Sequence, residues 1–214
     1  MKDETKAGEI QQELESYFRR LVEAYVQFPD DLKMELKRTR RGIALYVEPE
    51  VKDYSIVCGK GGRNFNALKL LLETIATEAG IVEADEDELV DLVLEGPDVD
   101  EEVARRRRPW ADRVVIRGQL PYRYNPKWTP QMIKPLVVET LNRAGLKHVK
   151  VWMQKRGEGS GNVFNDQTFY WFADYKDQRE EEVCSALGYL MESMGVVQGQ
   201  KLILKRTEAL EKAG

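Results

Sequence analysis

The residues with the clearest chemical potential are Gly59, Lys60, Gly61 and Gly62, followed at once by Arg63 and an apolar-periodic run from Phe65 to Ile75. Glycines at both ends of a Gly-x-x-Gly let the backbone come close to a ligand, and a helix that starts there directs its unpaired N–H groups the same way. Such a loop suits an anion. Lys60 supplies a compact positive charge, while Arg63 can grip two phosphate oxygens at once. Ile56 and Val57 before the loop would anchor it to the sheet, and Asn64 and Asn66 after it are suited to capping the helix or touching a ligand.

Other chemistry is thinly represented. His148 is the only histidine, with no carboxylate or cysteine pair near it in sequence, so a structural role is expected rather than general base catalysis. Cys58 and Cys184 are too few for a disulfide framework or a cysteine-rich metal site. The carboxylates fall in runs such as 83–88, which read as solvated connection, and 180–182, where acidic groups favour the start of a helix. No catalytic residue, cofactor or metal is expected, and an enzyme is the least favoured class. No apolar run approaches the roughly 18 residues of a membrane span, and the chain opens on polar sequence, so a cytoplasmic protein with no membrane partner is expected.

The overall charge of −4 conceals an asymmetry. Residues 1–102 carry 13 Lys and Arg against 25 Asp and Glu, whereas residues 103–214 carry 20 against 12. The sign changes at Arg105, Arg106, Arg107 and Arg108. This run can contact a polyanion, dock on the acidic first half, or simply aid solubility. Lys155 and Arg156 open a glycine-rich stretch through residue 166 that reads as a mobile basic hairpin loop able to reach nucleic acid. Tyr122, Tyr124 and Trp128, interleaved with Arg123 and Lys127, suit either base stacking or packing across an irregular segment.

These residues need elements to hold them. After a polar start over residues 1–8, Ile10, Leu14, Tyr17, Phe18, Leu21, Val22 and Tyr25 predict an amphipathic helix over 9–26, stopped at Pro29. Alternation predicts strands over 32–38 and 43–48 around a basic turn, then a short connection or partial helical turn before the glycines. Phe65, Leu68, Leu71, Leu72 and Ile75 form the stripe of a helix over 63–79, and a strand follows at 89–94. This order completes a small α+β domain over residues 1–97, joined by a basic linker at 98–112 to a second α+β domain at 113–214. There, a helix from Pro130 to Gly145, strands at 147–153 and 169–172, a helix over 177–194 closed by Gly195, and a last strand at 201–204 repeat the order without the glycine loop. The second half is thus either a pseudo-repeat or an independent assembly of common elements.

Residues 9–95 resemble the bacterial type II KH domain, in which Val-Ile-Gly-Lys-x-Gly-Arg precedes a helix; here the stretch reads Val57-Cys58-Gly59-Lys60-Gly61-Gly62-Arg63. The resemblance implies an αββααβ fold whose loop clamps about four nucleotides of single-stranded backbone while the bases lie in an apolar groove. A second half built as a KH-like repeat would lack that loop. Cys58 stands where the family has an aliphatic residue, Gly61 adds flexibility, and the domain is unusually acidic. The implied function is a non-enzymatic single-stranded RNA-binding protein or adaptor, using Ile56, Val57, Gly59, Lys60, Gly61, Gly62, Arg63 and Asn64, extended by Arg105 to Arg108, Lys155 and Arg156. Single-stranded DNA is an alternative ligand. The competing class is a structural or assembly protein that keeps the fold for a protein partner or a homodimer.

Overall fold

A computed structural model describes residues 2–40, 42–82, 89–96, 130–155, 167–172, 177–197 and 202–206, with side chains described over 8–40, 42–82, 90–96, 132–151 and 177–195. Two units of the same topology stand side by side. In the first, α1 (Lys2–Glu23) leads through a 3₁₀ turn at Pro29–Asp31 into β1 (Lys33–Thr39) and β2 (Gly42–Glu48). Then come α2 (Tyr54–Cys58), a second 3₁₀ turn at Lys60–Gly62, α3 (Arg63–Glu78) and β3 (Leu89–Leu94). In the second, α4 (Pro130–Arg143), β4 (Lys150–Lys155), β5 (Gln167–Phe172), α5 (Gln178–Val197) and β6 (Leu202–Arg206) follow in order.

Each unit forms a three-stranded mixed sheet. β1 lies antiparallel to β2, pairing Lys33 with Glu48 through Thr39 with Gly42, and β3 lies parallel to β2. β4 lies antiparallel to β5 and β6 parallel to β5, so the order within both sheets follows the chain. The repeated topology agrees with the pattern read from sequence. The parallel pair requires a crossover, and α3 and α5 supply it.

The outer edge of β1 is closed by side chains of α1. Gln11 Nε2 donates to the carbonyl of Leu36, Glu15 accepts from the Leu36 amide, and Arg19 donates to the carbonyls of Leu32 and Met34. A sheet edge covered in this way is not available for further pairing. β3 is the other outer strand of this sheet.

The two units share one hydrophobic core. Like helices meet like helices. Between α1 and α4, Tyr17 donates to Thr140 Oγ1 at 2.7 Å, Arg20 pairs with Glu139 at 2.8 Å and Arg143 with Glu13 at 2.7 Å. As numbers rise along α1 they fall along α4, so the helices run in opposite directions. The guanidinium of Arg143 also lies 5.0 Å from the centre of the Tyr17 ring. Burial pushes the Tyr17 hydroxyl well above the ordinary phenol range, partly offset by its hydrogen bond to Thr140. α3 packs on α5 as well: Ser193, late in α5, meets Asn64 at the start of α3. Equivalent helices thus pair across the units, and the opposed directions of α1 and α4 are what a local two-fold relation produces.

Two expectations are corrected. α1 begins at Lys2 rather than near residue 9, because Lys2, Glu4, Lys6 and Ala7 favour helix and nothing there breaks it. α5 continues through Gly195 to Val197 instead of ending there. The buried stripe of Leu187, Leu190, Met191 and Met194 outweighs the cost of about 1 kcal/mol that an interior glycine carries. Among the described residues no helix is long and apolar enough to cross a membrane.

Candidate nucleic-acid interface

The loop is built from α2 outward. Asp53 is fully buried, and its carboxylate accepts from the Gln27 amide at 2.9 Å and the Phe28 amide at 2.8 Å, fastening the segment to the turn after α1. Its carbonyl accepts from Ile56 and Val57, which starts α2. Burial raises the Asp53 carboxyl above its ordinary range, opposed by the two backbone bonds and assisted by the charges of Glu50 and Asp31. Val57 is buried in the core, while Ile56 and Cys58 are half-buried beside the loop.

Gly59 has φ +74°, and a Cβ there would stand 2.8 Å from both the side chain and the backbone nitrogen of Asn64. This glycine is required by space as well as by conformation. Its amide donates to Ser55 at 2.9 Å, and the Gly62 amide returns to the Gly59 carbonyl at 3.1 Å. Gly61 and Gly62 also have positive φ, at +64° and +77°, with open space around Gly61. Gly62 is the N-cap of α3 and no side chain caps that helix. The first N–H groups of α3 therefore point into a turn whose Lys60, Gly61 and Arg63 are exposed.

The predicted residues separate into two sets. Gly59, Lys60, Gly61, Gly62 and Arg63 come together on the surface, with Ile56 adjoining them. Val57 and Asn64 point inward. Asn64 is only 5% exposed, and its Nδ2 donates to the Ile56 carbonyl at 2.7 Å and to Ser193 Oγ at 2.8 Å, joining α2, α3 and α5. It supports the loop rather than presenting itself to a ligand. Arg105, Arg106, Arg107, Arg108 and Arg156 lie outside the described residues, as does the side chain of Lys155, whose backbone ends β4.

Sequence reasoning missed the neighbour that α5 supplies. The Arg63 guanidinium lies 5.6 Å from the centre of the Tyr189 ring, and the ring is 41% exposed. Arg63 and Tyr189 stand at a cleft of about 870 Å³ between α3 and α5, bordered also by Asn66, Leu70, Glu181 and Glu182. The signal was present: Tyr189 falls off the stripe of Val183, Leu187, Leu190 and Met194, an aromatic on the polar side of its helix. Residues on that wall are acidic, in contrast to the loop.

His148 has a partner that its sequence neighbourhood does not contain, Glu180 at the start of α5, at 3.3 Å. Among the described residues no three His, Cys, Asp or Glu side chains gather in a metal-holding geometry. In comparisons with known proteins, no family model, curated protein or solved structure matches the chain.

Proposed function

We propose that the chain is a non-enzymatic, cytoplasmic protein that binds single-stranded RNA. Residues 9–95 act as a type II KH domain, and the second unit is a KH-like repeat without the glycine loop. The observation that carries this reading is the exposed turn of three positive-φ glycines, with Lys60 and Arg63 beside a helix start that no side chain caps. Backbone amides and two cations would hold consecutive phosphates there, because the amides have no partner within the helix and the cations meet solvent. Element order, with one antiparallel and one parallel strand pair, supports the KH assignment.

With the outer edge of β1 closed by α1, the route favoured for a strand runs past Ile56 and Cys58 toward β3. A Cβ on Gly96, just after β3, would stand 3.2 Å from the Tyr54 ring, so the chain leaving β3 passes the start of α2. Val57 and Asn64 position this surface from within. Arg105 to Arg108, Lys155 and Arg156 would lengthen the phosphate contact.

Fluorescence anisotropy with labelled single-stranded RNA and DNA of matched sequence tests the proposal. Changing Lys60 and Gly61 together to Asp should weaken RNA binding about tenfold or more, by removing one cation and adding two carboxylates at the phosphate path. The dependence of log affinity on log salt should become shallower by about 0.7 for one lost phosphate contact. Equal affinity in the two proteins removes the loop from the interface. Absence of RNA binding by the wild-type chain at low salt favours an assembly role, and equal affinity for DNA widens the ligand class to single strands in general.

A further inference from the structure

We infer that the cleft between α3 and α5 is a nucleobase subsite that takes one base bearing an exocyclic amino group, stacked on Tyr189, from the nucleotide adjoining those held at the loop. This rests on the reading of the loop as a phosphate site. Three features argue for it.

The cleft is continuous with the loop. Arg63 belongs to both, and Asn66 Nδ2 stands 4.0 Å from the position a Cβ on Gly62 would take, so one side chain spans the two sites. A nucleotide whose phosphate lies on the loop therefore has its base within reach of the cleft.

The cleft has the wrong charge for phosphate and the right groups for a base. Glu181 and Glu182 form one wall, and Gln178 Nε2 donates to Glu182 Oε1 at 2.8 Å, leaving that carboxylate further acceptor capacity. Carboxylates accept hydrogen bonds and repel a phosphodiester. They select a ligand edge rich in N–H groups, as the amino groups of cytosine, adenine and guanine provide. Uracil, with no amino group and a single N–H flanked by two carbonyls, meets the same wall less favourably.

Tyr189 supplies the stacking surface. An exposed tyrosine ring beside a phosphate site is suited to a base of any kind, because every base has a π face. Arg63 lies over this ring at 5.6 Å. Turning Arg63 to a phosphate exchanges a cation–π contact for a charge-assisted hydrogen bond and frees the ring for the base. Phosphate capture and base stacking are then coupled through one side chain.

The test uses the full chain and labelled hexamers of cytidylate, adenylate and uridylate. The wild-type protein should bind the cytidylate and adenylate hexamers about tenfold more tightly than uridylate. Tyr189→Ala should weaken binding about tenfold, with Tyr189→Phe restoring most of it. Glu181→Gln with Glu182→Gln should bring the ratio between cytidylate and uridylate toward one. Thermal unfolding checks that each variant is folded, and the glutamine pair, at exposed positions, remains informative if Tyr189→Ala is unstable. The subsite is overturned if the three hexamers bind the wild type equally. It is also overturned if the glutamine pair tightens all three alike, which would make the carboxylates a mere repulsion, or if a folded Tyr189→Ala binds as wild type. Where the aspartate substitutions at Lys60 and Gly61 still abolish binding, the loop stands while the subsite falls; where no hexamer binds the wild type, both fall.

Discussion

The starts of α3 and α5 occupy equivalent places in two units of one topology, yet they present opposite chemistry. α3 begins at a left-handed glycine with no side-chain cap and two exposed cations nearby. α5 begins behind Asp177, whose carboxylate accepts from the Glu180 amide at 3.0 Å, and Glu180 and Glu181 fill its first turn. Only the second arrangement meets the positive end of its helix with side chains of the chain itself. The first leaves its opening amides without a side-chain cap, and the other supplies one internally. The difference follows from what precedes each helix: residues 49–62, with α2 and the glycine turn, stand between β2 and α3, whereas residues 173–177 alone connect β5 to α5. Topology is shared by the two units, and an uncapped helix start beside exposed Lys60 and Arg63 belongs to one. A closed helix start also serves the open one, since the acidic wall beside Arg63 comes from α5.

The contrast can be broken most severely at the glycine turn. Gly59→Ala should destabilise the protein by about 3 kcal/mol, combining the cost of a non-glycine residue at positive φ with overlap against the backbone of Asn64. Chemical denaturation measures this, and a loss below about 1 kcal/mol would mean that the turn rearranges freely.

Asp53 sharpens the comparison because it fastens the inserted segment that the second unit lacks. Asp53→Asn places an amide donor toward the amides of Gln27 and Phe28 and should cost about 2 kcal/mol near neutral pH. The pH dependence has a definite sign. Burial raises the folded carboxyl above its unfolded value, so the native state binds the extra proton between the two values and the stability from this group declines as pH rises through that window. The Asp53→Asn protein lacks this decline. Its deficit relative to wild type should therefore narrow on going from about pH 4 to pH 7, in urea titrations at each pH. A deficit that widens would show that the carboxylate is held in its charged form.

The smallest effect is expected at Gly188, inside α5, where a Cβ meets nothing within 4 Å. Gly188→Ala should stabilise by roughly 0.5–1 kcal/mol, the reverse of the same change at Gly59. Equal signs at the two positions would remove the distinction between a glycine used for its conformation and one that is merely tolerated.

Much of each unit was legible in the sequence. The spacing of Leu68, Leu71, Leu72 and Ile75 marked α3 to within a residue, and the alternation through Leu36 and Leu45 marked the strands, because these patterns report which side of an element is buried. The glycine loop was legible because positive φ and close approach leave few other residues. The partners across the interface were not. Periodicity marks Tyr17 for burial, but does not show that its hydroxyl meets Thr140, 123 positions away. For the same reason Asn64 read as a candidate ligand contact, although its amide is spent on Ile56 and Ser193. Gly195 read as a helix end because local propensity was weighed without the packing of Met191 and Met194 against the shared core.

The central claim, that the turn at the start of α3 receives the phosphodiester chain, is tested most directly by following backbone amide resonances during titration with single-stranded RNA. The account predicts that the largest shifts fall on Gly59 to Arg63 and disappear when Lys60 and Gly61 are both aspartate. Saturating RNA with these amides unmoved, and shifts gathered elsewhere, would contradict it.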